Sequence, residues 1–365
     1  MKRSITFIIG IMGNGGAERV VSILANYFIN ENIDINIITI YGDKIDYELD
    51  NRIKYYPIVC KGKIKLFRYI ERILKIRKNI KRANSDVVIS FLADVNIQTL
   101  IASIFTRNKV IISERNDPYN DPSNKYIRKF RDIIYKLGDG FVFQTVDAKN
   151  YFSKKIKGKS TIIENPIKNN LPQRYTGLRK KEIITISRLN PQKNLKLLID
   201  SYYLISKEYS DYILIIYGEG ELRTELQEYV VELGLENKVR FPGFEKNIHS
   251  KIVDSSMFVL SSNYEGISNA MLEALAIGVP VIATDCPIGG AKMNIQSYKN
   301  GILVPIKNKV ELYKAMKEII ENPELAENLS KNSVCIKEKL KEEVICKKWL
   351  SFIETVGIMN EIYTK

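Results

Sequence analysis

The chain has 365 residues, a length suited to about two domains. With 45% hydrophobic residues it can bury sizeable cores, which excludes a disordered or collagenous protein. A formal charge of +14 asks for an anionic partner: nucleic acid, acidic phospholipid or phosphorylated substrates.

The four cysteines, Cys60, Cys286, Cys335 and Cys346, form no CxxC pair and no metal spacing, which points to a reduced, cytosolic protein with incidental thiols. Lys2 and Arg3 ahead of the apolar run Ser4–Gly10 imitate a signal peptide. The run is short, holds Gly10 and leads into GNGGAERV, so it reads as a buried first strand. Further strand-like runs follow at Ile35–Ile40, Asp86–Phe91, Lys109–Ser113 and Gly140–Phe143, with helical patterns between most of them. The polar stretch NPIKNNLPQRYTGLRKKE after residue 164 is the best linker candidate. Alternation resumes with Ile183–Ser187, Tyr212–Tyr217, Val239–Phe241, Met257–Leu260 and Val279–Ala283, and the tail from Lys309 is mostly helical. Two successive β/α alternations predict an α/β protein of two doubly wound parallel-sheet domains, whose ligands sit outside the carboxyl ends of the strands. No stretch approaches the roughly eighteen unbroken apolar residues of a membrane span.

Strand ends carry the informative residues. The first ends in the turn Gly13-Asn14-Gly15-Gly16 before Ala17-Glu18-Arg19 opens a helix, a place where backbone N–H groups approach an anion. It is neither GxGxxG nor a Walker A, and a tight βα turn explains it equally. In the segment Lys61–Arg82, Lys61, Lys63, Lys65, Arg68, Arg72, Lys75, Arg77, Lys78, Lys81 and Arg82 are set against a single acid, Glu71, and Leu66, Ile70, Ile73, Ile76 and Ile80 keep an apolar stripe. Such a helix either lies on an anionic membrane or packs its stripe on the sheet with solvated cations outside. Glu114 and Arg115 stand at the carboxyl end of the Lys109–Ser113 strand, and Arg188 and Lys193 follow the first strand of the second half, where both can point at one anion. Tyr217-Gly218-Glu219-Gly220 ends another strand in glycines, leaving room for a flat ligand. In SNYEGISNAMLEALAIGVPVIAT, Glu265 precedes a helix and Glu273 lies on it, at most about 12 Å apart along the axis. The helix N-terminus between them suits a phosphate. The only histidine, His249, is given no catalytic role, which removes His-based acid/base chemistry, and there is no DxD to hold a divalent cation on a nucleotide diphosphate.

Taken together, GGAER, SRLNPQKN, YGEGE and EGISNAMLEALAIGVPVIAT resemble the retaining glycosyltransferases of family 4, with the GT-B fold, and are most similar to bacterial enzymes that build capsule, O-antigen or lipid-linked oligosaccharides. The resemblance covers nearly the whole chain. It implies two Rossmann-like domains facing across a cleft: residues 1–168 for the acceptor, residues 169–342 for the nucleotide sugar, and a C-terminal helix in 343–365 returning to the first domain. It also implies transfer of a hexose or N-acetylhexosamine from a nucleotide diphosphate sugar, UDP for preference, to a lipid-linked glycan acceptor. Carried over by residue, Arg188 and Lys193 match the pair on the donor diphosphate. Glu265 matches the carboxylate that meets the donor sugar, and Glu273 the one that binds ribose. Gly15 and Gly16 match the turn facing the donor phosphates, Gly218 belongs with the donor-site glycines, and Gly266, Ile267 and Ser268 would offer N–H groups to the diphosphate. Retention in the family runs by front-face attack, the leaving phosphate accepting the acceptor's proton, so no protein nucleophile is required.

The same resemblance assigns Arg68, Arg72 and Lys75 to the membrane or the lipid pyrophosphate. It implies no metal, no other cofactor, no nucleic acid, and a cytoplasmic location peripheral on the inner face of the membrane. Two departures stand out. Arg115 occupies the place where many relatives carry His, and Met293 the place where they commonly have Glu.

Overall fold

The structure is a computed structural model and describes residues 3–62 and 64–358. Lys63, from the basic segment, and the last seven residues of the expected C-terminal helical segment lie outside the described residues. The chain divides into two compact units: Met1–Pro166 with Glu342–Lys365, and Ile167–Lys341.

The first unit holds a seven-stranded sheet of β1 (Ser4–Ile9), β2 (Asp34–Thr39), β3 (Lys54–Pro57), β4 (Val87–Phe91), β5 (Lys109–Ser113), β6 (Gly140–Phe143) and β7 (Ser160–Ile162), in the order β3-β2-β1-β4-β5-β6-β7. Every pairing is parallel, with registers such as Ser4↔Asp34 and Val87↔Lys109. Its helices are α1 (Gly16–Asn30), α2 (Lys65–Ala83), α3 (Ala93–Ala102), α4 (Lys125–Ile134), α5 (Val146–Tyr151) and α6 (Lys154–Lys157). Helices cover both faces, so β4, VVISF, is buried at every position and reads as an apolar run instead of an alternation. Ile8, Ile38, Val88 and Val95 form one core with Ile76 and Ile80 of α2.

The second unit repeats the plan in six parallel strands: β8 (Lys180–Ile186), β9 (Ile213–Tyr217), β10 (Val239–Gly243), β11 (Ser255–Leu260), β12 (Val281–Thr284) and β13 (Ile302–Val304), in the order β10-β9-β8-β11-β12-β13. Around it pack α7 (Leu195–Glu208), α8 (Arg223–Glu232), α9 (Ile248–Ile252), α10 (Asn269–Ala276), α11 (Lys309–Glu321), α12 (Pro323–Ser333) and α13 (Ile336–Lys339). Local chemistry sets the helix starts. Ser268, Asn308 and Asn322 each accept a backbone N–H in the first turn, and Pro323 opens α12, where a missing N–H costs nothing. The chain then rejoins the first unit as α14 (Glu342–Ile358), whose Trp349 packs against Phe91 with ring centroids 5.7 Å apart and planes tilted by 31°.

In each sheet the order reverses beside the first strand, at β1/β4 and β8/β11. Loops leaving the carboxyl ends of those strands diverge there, and a ligand site forms at such a switch point. The ten strands read from hydrophobic runs are all present, five to each unit. The structure adds β3, β7 and β13, short strands at sheet edges; β7 and β13 have three residues each, and β3, KYYP, is no buried apolar run.

Candidate active site

β8 and β11 are neighbours across the second switch point, so the loops Ser187–Asn194 and Ser261–Ser268 leave the sheet side by side. A hydrogen-bond ladder joins them. Asn263 N donates to Gln192 O at 2.8 Å, Ser261 Oγ to Lys193 O at 2.9 Å, and Asn194 Nδ2 to Asn263 Oδ1 at 3.0 Å. At its centre Lys193 Nζ lies 2.7 Å from Glu265 Oε2, with both side chains largely shielded from water. Gln192 Nε2 donates to Tyr264 O at 3.0 Å and to Glu265 Oε2 at 3.4 Å. A carboxylate withdrawn from water needs such donors, and the ammonium cancels its charge. Arg188, in contrast, is exposed, and no described residue hydrogen-bonds its guanidinium. Cys286 sits within the field of this pair: burial, then the negative Glu265, pushes its thiol up to about 11, so it stays protonated at neutral pH and is no nucleophile.

The chain after Glu265 turns through Gly266 and Ile267 into Ser268, whose hydroxyl caps α10 by accepting from Met271 N at 3.4 Å. These three residues therefore stand at a helix N-terminus, where partial positive charge collects. The turn after β12 presses against them. A Cβ on Gly290 would sit 1.7 Å from Gly266 O, so only glycine allows the approach. Met293 follows on the same turn, half-buried. Gly218 has φ +121, and a Cβ there would meet Ser187 O at 1.9 Å, so it seats the β8 loop directly. Glu273, on α10, is buried, and its Oε2 lies 2.8 Å from His249 Nε2, also buried. His249 carried no motif signal, and Gln192, though inside SRLNPQKN, was given no role of its own. The one retrievable hint for Gln192 is its place beside Lys193.

In the first unit, Gly15 caps α1 and Gly16 begins it, and Tyr47 Oη donates to Gly15 O at 2.9 Å. Glu114 and Arg115 turn inward. Tyr135 Oη donates to Glu114 Oε2 at 2.9 Å, and complete burial raises this carboxyl to about 7. Arg115 lies over the rings of Phe91 (5.0 Å) and Trp349 (5.5 Å) and donates through Nη1 to Asn165 at 2.8 Å, while burial lowers it to about 9. Its guanidinium thus ties β4 to α14, a packing role that sequence position alone did not suggest. Of the three cations assigned to the membrane or lipid pyrophosphate, Arg68 is exposed, Arg72 stacks on Tyr41 at 4.5 Å, and Lys75 is paired with Glu71 at 2.6 Å. The apolar stripe of α2 splits: Ile76 and Ile80 are buried, but Leu66 and Ile70 stay exposed beside Phe67 and Leu74. On α4, Tyr126, Phe130 and Ile133 form a second exposed stripe with Leu137, flanked by Lys125, Lys129 and Lys136. α3 packs against both helices, so α2 and α4 share one side of the sheet. Among the described residues no cluster of three His, Cys, Asp or Glu side chains is placed to hold a metal ion, and no helix is long and apolar enough to cross a membrane.

Comparison with known proteins gives matches in family and in fold. Residues 168–334 match the family model for glycosyl transferases group 1. An α-1,4-N-acetyl-D-galactosaminyltransferase of Campylobacter jejuni, named for a diphospho-undecaprenol-linked acceptor, is 28% identical over 96% of this chain and 98% of its own. An uncharacterized glycosyltransferase of Haemophilus influenzae is 27% identical over 96% of this chain and 99% of its own. Among solved structures, Anabaena HepE with UDP and glucose superposes with a TM-score of 0.84 at 17% identity, covering 96% of this chain and 99% of that one. The lipopolysaccharide outer core galactosyltransferase WaaB gives 0.77 at 20% identity, covering 96% and 99%.

Proposed function

We propose that the chain is a GT-B glycosyltransferase of the group 1 type, the family whose model its residues 168–334 match, and that it transfers a hexose or N-acetylhexosamine, with retention, from a UDP-sugar to a lipid-linked glycan in cell-surface polysaccharide synthesis. The observation that carries the reading is the Lys193–Glu265 pair at the switch point, with Glu265 just ahead of the α10 N-terminus and Glu273 lying further along that helix. Lys193, exposed Arg188 and the N-terminal end of α10 together offer positive charge to a diphosphate. Lys193 also neutralises Glu265, which allows a carboxylate to stand beside phosphates and meet the sugar hydroxyls. Glu273 takes the ribose.

In the step proposed, the bond between the anomeric carbon and the phosphate oxygen breaks while the acceptor oxygen bonds to that carbon from the same face. The acceptor's proton passes to the departing phosphate, so the nucleotide leaves as its diphosphate. Charge growing on that phosphate is met by Arg188, Lys193 and the helix end, a preorganised electrostatic contribution that needs no metal. Relatives named for diphospho-undecaprenol acceptors support the lipid-linked class. The exposed apolar and basic stripes of α2 and α4 support peripheral seating of the first unit on an anionic inner membrane face.

A thermal-shift screen of UDP-sugars, followed by transfer to a defined undecaprenyl-diphosphate glycan, tests the proposal. A stabilising donor whose sugar appears on the acceptor with its anomeric configuration kept is the expected outcome. Full turnover by folded Arg188→Ala and Lys193→Ala variants would sink the assignment of these cations.

A further inference from the structure

The second carboxylate, Glu273, is buried on α10 in a unit that holds the chain's only histidine. A carboxylate so withdrawn from water must be met by donors, or it takes up a proton and ceases to accept from a diol. The 2.8 Å contact from His249 Nε2 to Glu273 Oε2 supplies such a donor. With Glu273 ionised, that contact requires the proton on Nε2, which fixes the tautomer of a neutral His249.

The histidine is placed by its own element. α9 is only five residues long, and Ile248 and Ile252, one helical turn apart, are both buried and pin it. His249, next to the first of these anchors, is thereby carried inward against α10. The loop before α9 is anchored too, since Asn247 N donates to Glu245 Oε1 at 3.2 Å. Few side-chain freedoms remain for Glu273 once its Oε2 is held this way. A carboxylate that must receive two vicinal hydroxyls gains from having its plane set beforehand.

From this geometry we infer that His249 is a positioning residue for nucleotide recognition. It orients Glu273 so that the enzyme distinguishes a ribose from a sugar lacking its vicinal hydroxyls. The inference rests on the reading of Glu273 as the ribose acceptor and adds the group that makes that acceptor selective.

The test compares binding of UDP with that of 2′,3′-dideoxyuridine diphosphate, together with donor KM and kcat in sugar transfer, across the full-length wild type, Glu273→Gln, His249→Ala and His249→Gln. Wild type should prefer UDP, and Glu273→Gln should lose most of that preference. His249→Ala should lose roughly tenfold of it, a loss of about 1.4 kcal/mol, with donor KM rising by a similar factor and kcat within twofold. His249→Gln, whose amide nitrogen can occupy the place of Nε2, should recover most of the preference. If the Ala variant does not fold, His249→Leu, which fills much of the space but offers no donor, takes its place and should show the same loss. Equal affinity of the wild type for both nucleotides would overturn the ribose reading of Glu273, and the inference with it. Loss of preference in Glu273→Gln but full preference in His249→Ala would overturn the inference alone. A fall in kcat at constant nucleotide preference would likewise assign His249 to packing and overturn it.

Discussion

Lys193 is the residue whose removal should be most informative, because the structure gives it two tasks that can be separated. In Lys193→Met the side chain keeps its length but loses its charge, leaving Glu265 shielded from water with, among the described residues, only the 3.4 Å contact from Gln192. Removing one member of a buried ion pair costs about 3–5 kcal/mol. The side chains here keep 10% and 14% exposure, which admits some water to Glu265, so the expected cost falls to about 2–3 kcal/mol. At roughly 2–4 °C per kcal/mol, the melting temperature should drop by about 5–10 °C. Turnover should fall by about 100- to 1000-fold, the usual consequence of losing one preorganised donor to a developing charge. The double variant Lys193→Met/Glu265→Gln removes both charges and should regain most of the stability while activity stays lost, because replacing both partners leaves no orphaned charge. Differential scanning fluorimetry and a sugar-transfer assay on the same preparations decide the matter. A double variant as unstable as the single one, or a single variant with turnover within threefold of wild type, refutes the reasoning.

Three further outcomes are expected. Gly218→Ala combines a φ of +121 with a Cβ 1.9 Å from Ser187 O, so it should displace the β8 loop, destabilise by about 2–4 kcal/mol and weaken donor binding, as read by melting and UDP titration. Glu114 has its folded pKa raised to about 7, so the native state holds the proton that the unfolded chain releases near 4.5. Its contribution is therefore full below the unfolded value and is lost as pH rises through about 7, and Glu114→Gln, a mimic of the protonated form, should gain stability relative to wild type between pH 5 and 8. A constant difference in melting temperature across that range counts against it. Phe130→Asp/Ile133→Asp replaces two exposed side chains of α4, at 45% and 61% exposure, and should leave melting unchanged while reducing sedimentation with phosphatidylglycerol vesicles several-fold. Unaltered sedimentation would remove α4 from the membrane surface.

Much of this protein is legible in its sequence. Buried parallel strands must be apolar at nearly every position, so ten of the strands announce themselves as runs, and their alternation with helices dictates the doubly wound plan. Glycines at strand ends and the polar loops after β8 and β11 mark the carboxyl edges, and the GT-B resemblance follows from their order. Short edge strands such as β7 and β13 were not legible, because three residues carry no periodicity and their pairing is decided by the neighbouring strand.

Side-chain partnership was beyond the reach of sequence for a similar reason. Arg115 reads as a near-site cation from its place after β5, and the structure sets it against two aromatic rings, one from α14 more than two hundred residues later, contacts that its place in the sequence does not announce. The basic segment left open whether its stripe is covered. Only packing shows that Ile76 and Ile80 are buried while Leu66 and Ile70 remain outside, and that α4 presents a second stripe on the same side. His249, chemically mute in the sequence, becomes the partner of Glu273 only once α9 and α10 are set in the folded unit. Local propensity and hydrophobic pattern act over a few residues and so determined the elements, their class and the loops that could bear function. Which charge meets which is a matter of long-range contact under desolvation, and that was settled only when the chain closed on itself.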